Sequence, residues 1–282
     1  MKLTGKAKTA GVMGYPVGHS LSPRLHGYWL DLYKVDGAYV PFEVKPENLG
    51  DCLRALPKLG IRGCNLTVPH KETALGFVDE IEDHARRIGA INTIVVGNDG
   101  RLTGRNTDGL GFLENILVNA ENWQPSKGPA VIIGAGGAAR ALIVALLEAG
   151  VPEIRLVNRT RERAENLAQE LSPHQIRVID WKDRSDCLQD ITLLVNSTTQ
   201  GMKGQPPLDL DLGRLPETAV VNDIVYNPLI TPLLSAAQQR GNEIVDGLGM
   251  LLFQAVPGFE AWFGVRPEVT EELRQRVLAG LV

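Results

Sequence analysis

A lysine and an aspartate can move a proton at a carbonyl or alcohol group without a metal, and two such residues stand out by their surroundings. Lys71 closes "NLTVPHK", residues 65–71, and Asp108 lies in "GRNTDG", residues 104–109. Each follows a strand-like segment and is embedded in polar sequence. Asn65 and Thr67 alternate with the apolar Cys64, Leu66 and Val68, the period of a half-buried strand. An amide, a hydroxyl and an ammonium are thus aimed at one place just past that strand. Taken singly, a loop lysine is also an ordinary surface charge, and Asp108 also fits the N-cap of the helix "GLGFLENIL". Ser20 and Ser22 in "GHSLSPRLH" carry a similar pair of readings. Ser22 before Pro23 suits an N-cap with proline at N1, and two hydroxyls beside a helix N-terminus also make a site for a carboxylate.

The elements that must position these side chains alternate between strand and helix. "AGVMGYPV" reads as a strand, and the next segment places Leu25, Tyr28, Trp29 and Leu32 on one helical face. "GAYVPFEV" is a second strand, and a helix carrying Leu49, Cys52, Leu53, Leu56 and Leu59 leads to the strand of Asn65. This βαβα order predicts a mostly parallel sheet covered by helices. Two short strands around Asn98-Asp99-Gly100 read as a hairpin. A linker-like stretch, "NAENWQPSKG", precedes a second βα series: strand 130–133, helix 137–149, strand 154–158 and helix 161–171. Further strands are expected near 176–180, 191–196 and 219–225, then a helix in "TPLLSAAQQRG" and a short strand in "EIVDG". The tail from Leu248 is helical and apolar enough to pack against something.

"VIIGAGGAARAL" has the spacing G-x-G-x-x-A at Gly134, Gly136 and Ala139, between an apolar strand and a helix. Such a turn lets backbone N–H groups at the helix N-terminus approach a pyrophosphate. The bland alternative is a glycine-rich packing turn. About 20 residues on, where an acidic residue would hold the ribose of NAD, the chain has "VNRTRER" and no carboxylate at the strand tip. Arg159 and Arg163 offer planar cationic donors suited to a 2′-phosphate, so NADP is the expected cofactor. Thr160 fits an N-cap, a phosphate donor, or both. Arg161 reads as a solvated helix face.

Length and composition bound the rest. The chain has 282 residues, about right for two domains. A net charge of −4 carries no nucleic-acid footprint. No apolar run spans a bilayer, and the N-terminal stretch reads without the apolar core of a secretory signal. Three separated cysteines form neither a disulfide framework nor a CxxC pair, which favours a cytoplasmic location. The five histidines show no metal-ligand spacing, so no metal is expected.

Taken together and in order, "HSLSP", "NLTVPHK", "GAINT", "GRNTDG", "GAGGAARA", "NRTRERA", "DIVYNP" and "GLGMLLFQA" make the chain resemble the shikimate dehydrogenases nearly end to end. The resemblance implies NADPH-dependent reduction of 3-dehydroshikimate to shikimate, in the pathway to aromatic amino acids. It implies a two-domain α/β protein. A substrate domain over 1–110 would be completed by helices from 246–282, and a Rossmann-like NADP domain would occupy 111–245. By motif, Lys71 would transfer the proton, paired with Asp108, and Ser20 and Ser22 would hold the substrate carboxylate. Asn65, Thr67, Asn92, Asp108 and Gln254 would bind ring hydroxyls, and Tyr226 would close the pocket. Gly134, Ala135, Gly136, Gly137 and Ala138 would hold NADP with Asn158, Arg159, Thr160 and Arg163, and Ile224 and Gly247 would lie near the nicotinamide. The convergence of Asn65, Thr67 and Lys71 then has a reason, since a polyhydroxylated ring needs several directional bonds at once. His70 is read as structural. Within the resemblance, a quinate-accepting enzyme of broader range and a non-catalytic ligand sensor remain alternatives, and the partner is a small molecule for a monomer or homodimer. Two departures stand out. Thr199 and Gln200 replace a run of small residues before Gly201 and Met202, and Pro257 is expected to kink or interrupt the C-terminal helix at the carbonyl of Phe253.

Overall fold

The computed structural model describes residues 3–281. It divides into two compact units, Met1–Asp108 with Leu251–Val282, and Gly109–Met250. Each has its own six-stranded sheet.

In the first unit β1 (Lys8–Gly14) leads through α1 (Ser22–Leu32) to β2 (Gly37–Glu43), then through α2 (Leu49–Ala55) to β3 (Ile61–Leu66). A single turn, α3 (His70–Thr73), follows β3, before β4 (Glu80–Ile81), α4 (Asp83–Ile88) and the pair β5 (Thr93–Val96) and β6 (Leu102–Arg105). The strand order is β2-β1-β3-β5-β6-β4. β1 pairs in parallel with β2 and β3, whereas β5 runs antiparallel to β3 and also to β6, with which it forms the two-stranded hairpin. Met13, Leu53, Cys64, Leu66, Ile91 and Ile94 belong to a single apolar cluster on this sheet.

Three local expectations change here. The buried face of α1 is Leu25, His26, Trp29 and Leu30, while Leu32 is 48% exposed. His26 is drawn inward because its ring stacks on Tyr39. The second helix ends at Ala55, and Leu59 is exposed in a separate 3-10 turn. Leu56 keeps helical backbone, but Pro57 has no N–H to continue the α-helical hydrogen bonds, so the chain passes into the 3-10 turn there. β3 ends at Leu66, so Val68 is exposed, and Asn65 is buried although Cys64 and Leu66 on the other face are buried too. The strand is covered on both sides.

The second unit begins in α5 (Asp108–Asn119) and continues through β7 (Ala130–Ile133), α6 (Gly137–Glu148), β8 (Ile154–Val157), α7 (Arg161–Leu171) and β9 (Ile176–Ile179). β10 (Leu193–Asn196), β11 (Val220–Asp223), α8 (Pro232–Gln239) and β12 (Ile244–Val245) complete it. The order β12-β11-β10-β7-β8-β9 is parallel throughout. Its central strands are short runs of mostly apolar residues buried along their length, as a sheet covered by helices on both faces demands. The order reverses between β7 and β10, the point at which such sheets take a ligand.

α9 (Leu248–Phe263) and α10 (Glu271–Leu278) end the chain. The interruption expected at Pro257 does not occur, and α9 runs through it. Proline removes one helix hydrogen bond, but Ala255, Val256, Phe259 and Trp262 on either side are buried and hold the helix in place. From these helical segments, Trp262 Nε1 donates to the Ile94 carbonyl at 2.9 Å, and Lys8 Nζ to the Phe263 carbonyl at 2.9 Å.

Candidate active site

Lys71 is placed by the turn that carries it. The Thr67 N–H donates to the Met13 carbonyl at 3.0 Å, and the His70 N–H to the Thr67 carbonyl at 2.9 Å, which folds the chain back after β3. The buried His70 ring donates from Nε2 to the Val44 carbonyl at 2.8 Å, the structural role expected of it. The Lys71 carbonyl accepts from the Ile91 N–H at 2.7 Å, fixing the lysine beside the entry to β5.

Asp108 is the first residue of α5. The Asn106 Oδ1 accepts the Asp108 N–H at 3.0 Å, and Asp108, as the first helical residue and not the N-cap, turns its carboxylate to other partners. Its Oδ2 meets Lys71 Nζ at 2.5 Å, and its Oδ1 accepts from Asn92 Nδ2 at 2.8 Å. The Asp108 side chain is 6% exposed and that of Lys71 22%, so the pair is mostly withdrawn from water but reachable at the ammonium. Asn92 also reaches Gln254 Oε1 at 3.3 Å and Thr107 Oγ1 at 3.0 Å, and the Thr107 hydroxyl contacts the Gln254 carbonyl at 2.8 Å. Four residues singled out in the sequence, Lys71, Asp108, Asn92 and Gln254, therefore form one connected cluster.

Asn65 is buried beside it, with its amide committed. Oδ1 accepts from the Tyr39 hydroxyl at 2.6 Å, and Nδ2 donates to the Asn92 carbonyl at 3.2 Å and to Thr93 Oγ1 at 3.1 Å. One lone pair of Oδ1 is its remaining capacity. Thr67 is half-buried, and its hydroxyl has no partner among the described residues. Ser22 does not cap α1. The N-cap is Leu21, Ser22 is the first helical residue, and its N–H donates to Ser20 Oγ at 3.3 Å. The serine two residues upstream supplies the local acceptor and thereby makes the turn.

In the second unit, Gly134 follows β7 with φ +110, and a Cβ there would lie 2.6 Å from Ser197 Oγ, on the segment after β10. A glycine is required to close the two strand ends at the switch point. Gly136 caps α6, with open space where a side chain would stand, so Gly137 and Ala138 present first-turn N–H groups without intrahelical acceptors. Asn158 ties the neighbouring strand tip to this turn, accepting from the Ala135 N–H at 3.2 Å and donating to the Thr160 carbonyl at 2.8 Å. Thr160 is the N-cap of α7 without a side-chain capping bond, which leaves its hydroxyl uncommitted. Arg159 and Arg163 are exposed and make no ion pair among the described residues, whereas Arg161 pairs with Glu165 and Asp180 at 2.7 Å each. This cradle fits a dinucleotide with an extra phosphate: an open helix N-terminus, a glycine turn without side chains, and two unpaired cations at the next strand tip.

Gly247 lies against the end of β11, where an added Cβ would be 2.3 Å from the Ile224 carbonyl oxygen. The structure thus brings Ile224 and Gly247 together. Tyr226, on the same loop, is half-buried, and burial pushes its phenol upward. Around Thr199 and Gln200, Asn196 Nδ2 donates to the Gln200 carbonyl at 3.0 Å, and the Met202 N–H to the Thr199 carbonyl at 3.2 Å, so the departure is folded into an ordered turn.

Four polar residues at these sites went unassigned in the sequence. Thr107 and Thr93 lie inside quoted motifs, and their adjacency to Asp108 and Asn92 was the available signal. Tyr39 carries no local signal. Asp223, the last residue of β11, is fully buried and accepts from Thr231 Oγ1 at 2.7 Å, Asn196 Nδ2 at 3.0 Å and the Val225 N–H at 3.0 Å.

Residues 12–94 match the family described as the shikimate dehydrogenase substrate binding domain, and residues 119–202 the family described as shikimate / quinate 5-dehydrogenase. The chain is 59% identical over 277 residues to a protein of Paramagnetospirillum magneticum named shikimate dehydrogenase (NADP(+)), covering 98% of this chain and 100% of that one. A protein of the same name from Rhodospirillum rubrum is 58% identical over 279 residues, 98% of this chain and 99% of its own. The crystal structure of shikimate 5-dehydrogenase from Thermus thermophilus, in complex with NADP(H) and shikimate, superposes with a TM-score of 0.86 at 36% identity, covering 97% and 99% of the two chains. With its lysine–aspartate pair, its glycine cradle and this likeness along nearly its whole length, the chain belongs to the shikimate dehydrogenase family.

Proposed function

We propose that the chain interconverts 3-dehydroshikimate and shikimate with NADP, using Lys71 and Asp108 as its proton-transfer pair. The carrying observation is the 2.5 Å contact between Lys71 Nζ and Asp108 Oδ2, in a cluster whose other members are hydrogen-bonding amides. NADP, when bound, supplies the hydride chemistry. The chain supplies the proton: in reduction the Lys71 ammonium donates to the oxygen of the substrate carbonyl and is left as the amine, and in oxidation it takes that proton back. Asp108 holds Nζ in one orientation, and Asn92 holds Asp108.

Ser20 and Ser22 take the substrate carboxylate at the start of α1. Thr67, Asn92, Asp108 and Gln254 hold ring hydroxyls, with Asn65 limited to accepting one. Gly134 to Ala138, Asn158, Arg159, Thr160 and Arg163 hold the dinucleotide, with Ile224 and Gly247 at its nicotinamide end. The first unit is then the substrate domain and the second the NADP domain. Among the described residues no helix is long and apolar enough to cross a membrane. Cys52, Cys64 and Cys187 are all free thiols, which supports a reducing cytoplasm.

Purified protein given shikimate and NADP+ tests the reading through NADPH formation. Turnover is expected, and Lys71→Ala should lower kcat by about 10²- to 10⁴-fold with NADP+ binding nearly unchanged. A variant with near-normal kcat would remove Lys71 from the mechanism, and binding of both ligands without turnover would make the chain a sensor. Quinate, run alongside, carries an added hydroxyl beside the carboxylate gripped by Ser20 and Ser22. A buried hydroxyl without a partner lowers kcat/KM by about 5- to 150-fold, and equal values for the two acids would give the chain the broader substrate range.

A further inference from the structure

The hydrogen bonds behind the lysine–aspartate pair form a chain with only one possible direction. It begins at Tyr39 on β2, whose hydroxyl donates to Asn65 Oδ1 at 2.6 Å. Asn65 Nδ2 donates to Thr93 Oγ1 at 3.1 Å, and Thr93 Oγ1 donates to Asn92 Oδ1 at 3.0 Å. Asn92 Nδ2 then donates to Asp108 Oδ1 at 2.8 Å, and Asp108 Oδ2 receives Lys71 Nζ. Tyr39, Asn65, Thr93, Asn92 and Asp108 are all buried, so water does not compete for these bonds.

Two groups that cannot reverse set the polarity. The Asn92 carbonyl only accepts, so the amide edge of Asn65 facing it at 3.2 Å is Nδ2, and Oδ1 is turned to Tyr39. The Thr107 backbone N–H only donates, so the edge of Asn92 that it meets at 2.9 Å is Oδ1, and Nδ2 is turned to Asp108. Thr93 has a single hydroxyl proton. Because it receives from Asn65, that proton goes to Asn92. Burial pushes the Tyr39 phenol well above its usual range, keeping it a donor, and the His26 ring stacks on it with centroids 3.9 Å apart.

We propose that Thr93 and Tyr39 are positioning residues for proton transfer, acting through Asn92 on the Asp108 carboxylate, and that Asn65 serves as a link in this chain with both amide protons committed. This rests on the reading of Lys71 and Asp108 as the proton-transfer pair. Thr93 turns the Asn92 amide so that its N–H group, and not its carbonyl, faces the aspartate. The Asn92 hydrogen bond draws charge from one carboxylate oxygen and fixes the other toward Lys71.

Thr93→Val keeps the β-branched shape and deletes the hydroxyl, while Thr93→Ser keeps the hydroxyl. In shikimate oxidation, Thr93→Val should lower kcat by roughly 5- to 30-fold, as expected for one or two weakened hydrogen bonds, with a smaller change in KM for NADP+. The kcat–pH profile should also depart from that of the wild type, because the Asp108 carboxylate beside Lys71 loses part of its Asn92 hydrogen bond. Thr93→Ser should restore both, and Tyr39→Phe, at the far end, should lower kcat by about 2- to 5-fold. A folded Thr93→Val enzyme with wild-type kcat and pH profile would overturn the proposal, as would equal losses for valine and serine. If Thr93→Val does not fold, an unchanged kcat and profile in Tyr39→Phe overturns it. Lys71→Ala in parallel separates the two levels. If that variant retains activity the pair itself is wrong, whereas a dead Lys71→Ala with an indifferent Thr93→Val leaves the pair standing and removes the chain.

Discussion

Arg159 and Arg161 stand two positions apart and face different environments. Arg161 is tied to Glu165 and Asp180, exposed pairs that contribute little to stability and occupy its guanidinium. Arg159 has no anion among the described residues and projects from the tip that follows β8. A guanidinium there has a use for a 2′-phosphate and none for a bare ribose. Arg159→Ala should therefore lower kcat/KM for NADP+ by about 10- to 100-fold, the worth of one or two charge-assisted bonds, and leave the NAD+ value nearly unchanged. Arg161→Ala is the control and should shift neither. Equal losses with both cofactors in Arg159→Ala would make that residue structural.

At the scale of elements, the segment entering α9 is pressed against the end of β11. A Cβ on Gly247 would fall 2.3 Å from the Ile224 carbonyl oxygen, 2.4 Å from its carbon and 2.7 Å from the Val225 oxygen. These are backbone atoms, which have no rotamer by which to retreat. Gly247→Ala should thus cost about 1–3 kcal/mol of stability and raise KM for NADP+ more than KM for shikimate. An alanine variant melting with the wild type would show that the two segments separate freely. Most elements are legible in the sequence, since strand and helix periods, the glycine turn and the 93–105 hairpin are local signals. The misreadings were of environment. Leu32 and Leu59 have the right spacing for buried faces, but α1 turns to follow His26 and α2 stops before Pro57. Pro57 and Pro257 also show why one residue type has two outcomes: at 57 little buried surface follows, whereas at 257 buried neighbours on both sides keep the helix whole.

For the molecule as a whole, Asp223 sets a pH dependence of stability. Burial raises its carboxyl to about 6, against partial relief from the hydrogen bonds of Thr231, Asn196 and the Val225 N–H. A carboxyl raised in the fold binds its proton more tightly folded than unfolded. Its contribution is fully present below the unfolded value near 4 and is lost as pH rises through about 6. Asp223→Asn keeps an acceptor for Asn196 and Val225 and offers an amide to Thr231 Oγ1 without the buried charge. Across a pH series of denaturation, the variant should match the wild type near pH 4 and exceed it by about 1–3 kcal/mol at pH 8. A variant less stable than the wild type at pH 8 would show that the ionised carboxylate is worth more than its burial costs.

By itself the sequence determined two βα series, the G-x-G-x-x-A turn with its following arginines, and the polar stretches around Lys71 and Asp108. Those features follow from side-chain period, backbone stereochemistry and the chemistry of single residues, all of which act over a few positions. Only the tertiary structure decided which polar groups meet. Lys71 and Asp108 are 37 positions apart, Tyr39 and Asn65 26, and Asn92 and Gln254 162. The direction of the chain through Asn65, Thr93 and Asn92 was likewise beyond sequence. An amide has no intrinsic preference for either orientation, and its choice is made by fixed donors and acceptors that distant strands carry to it.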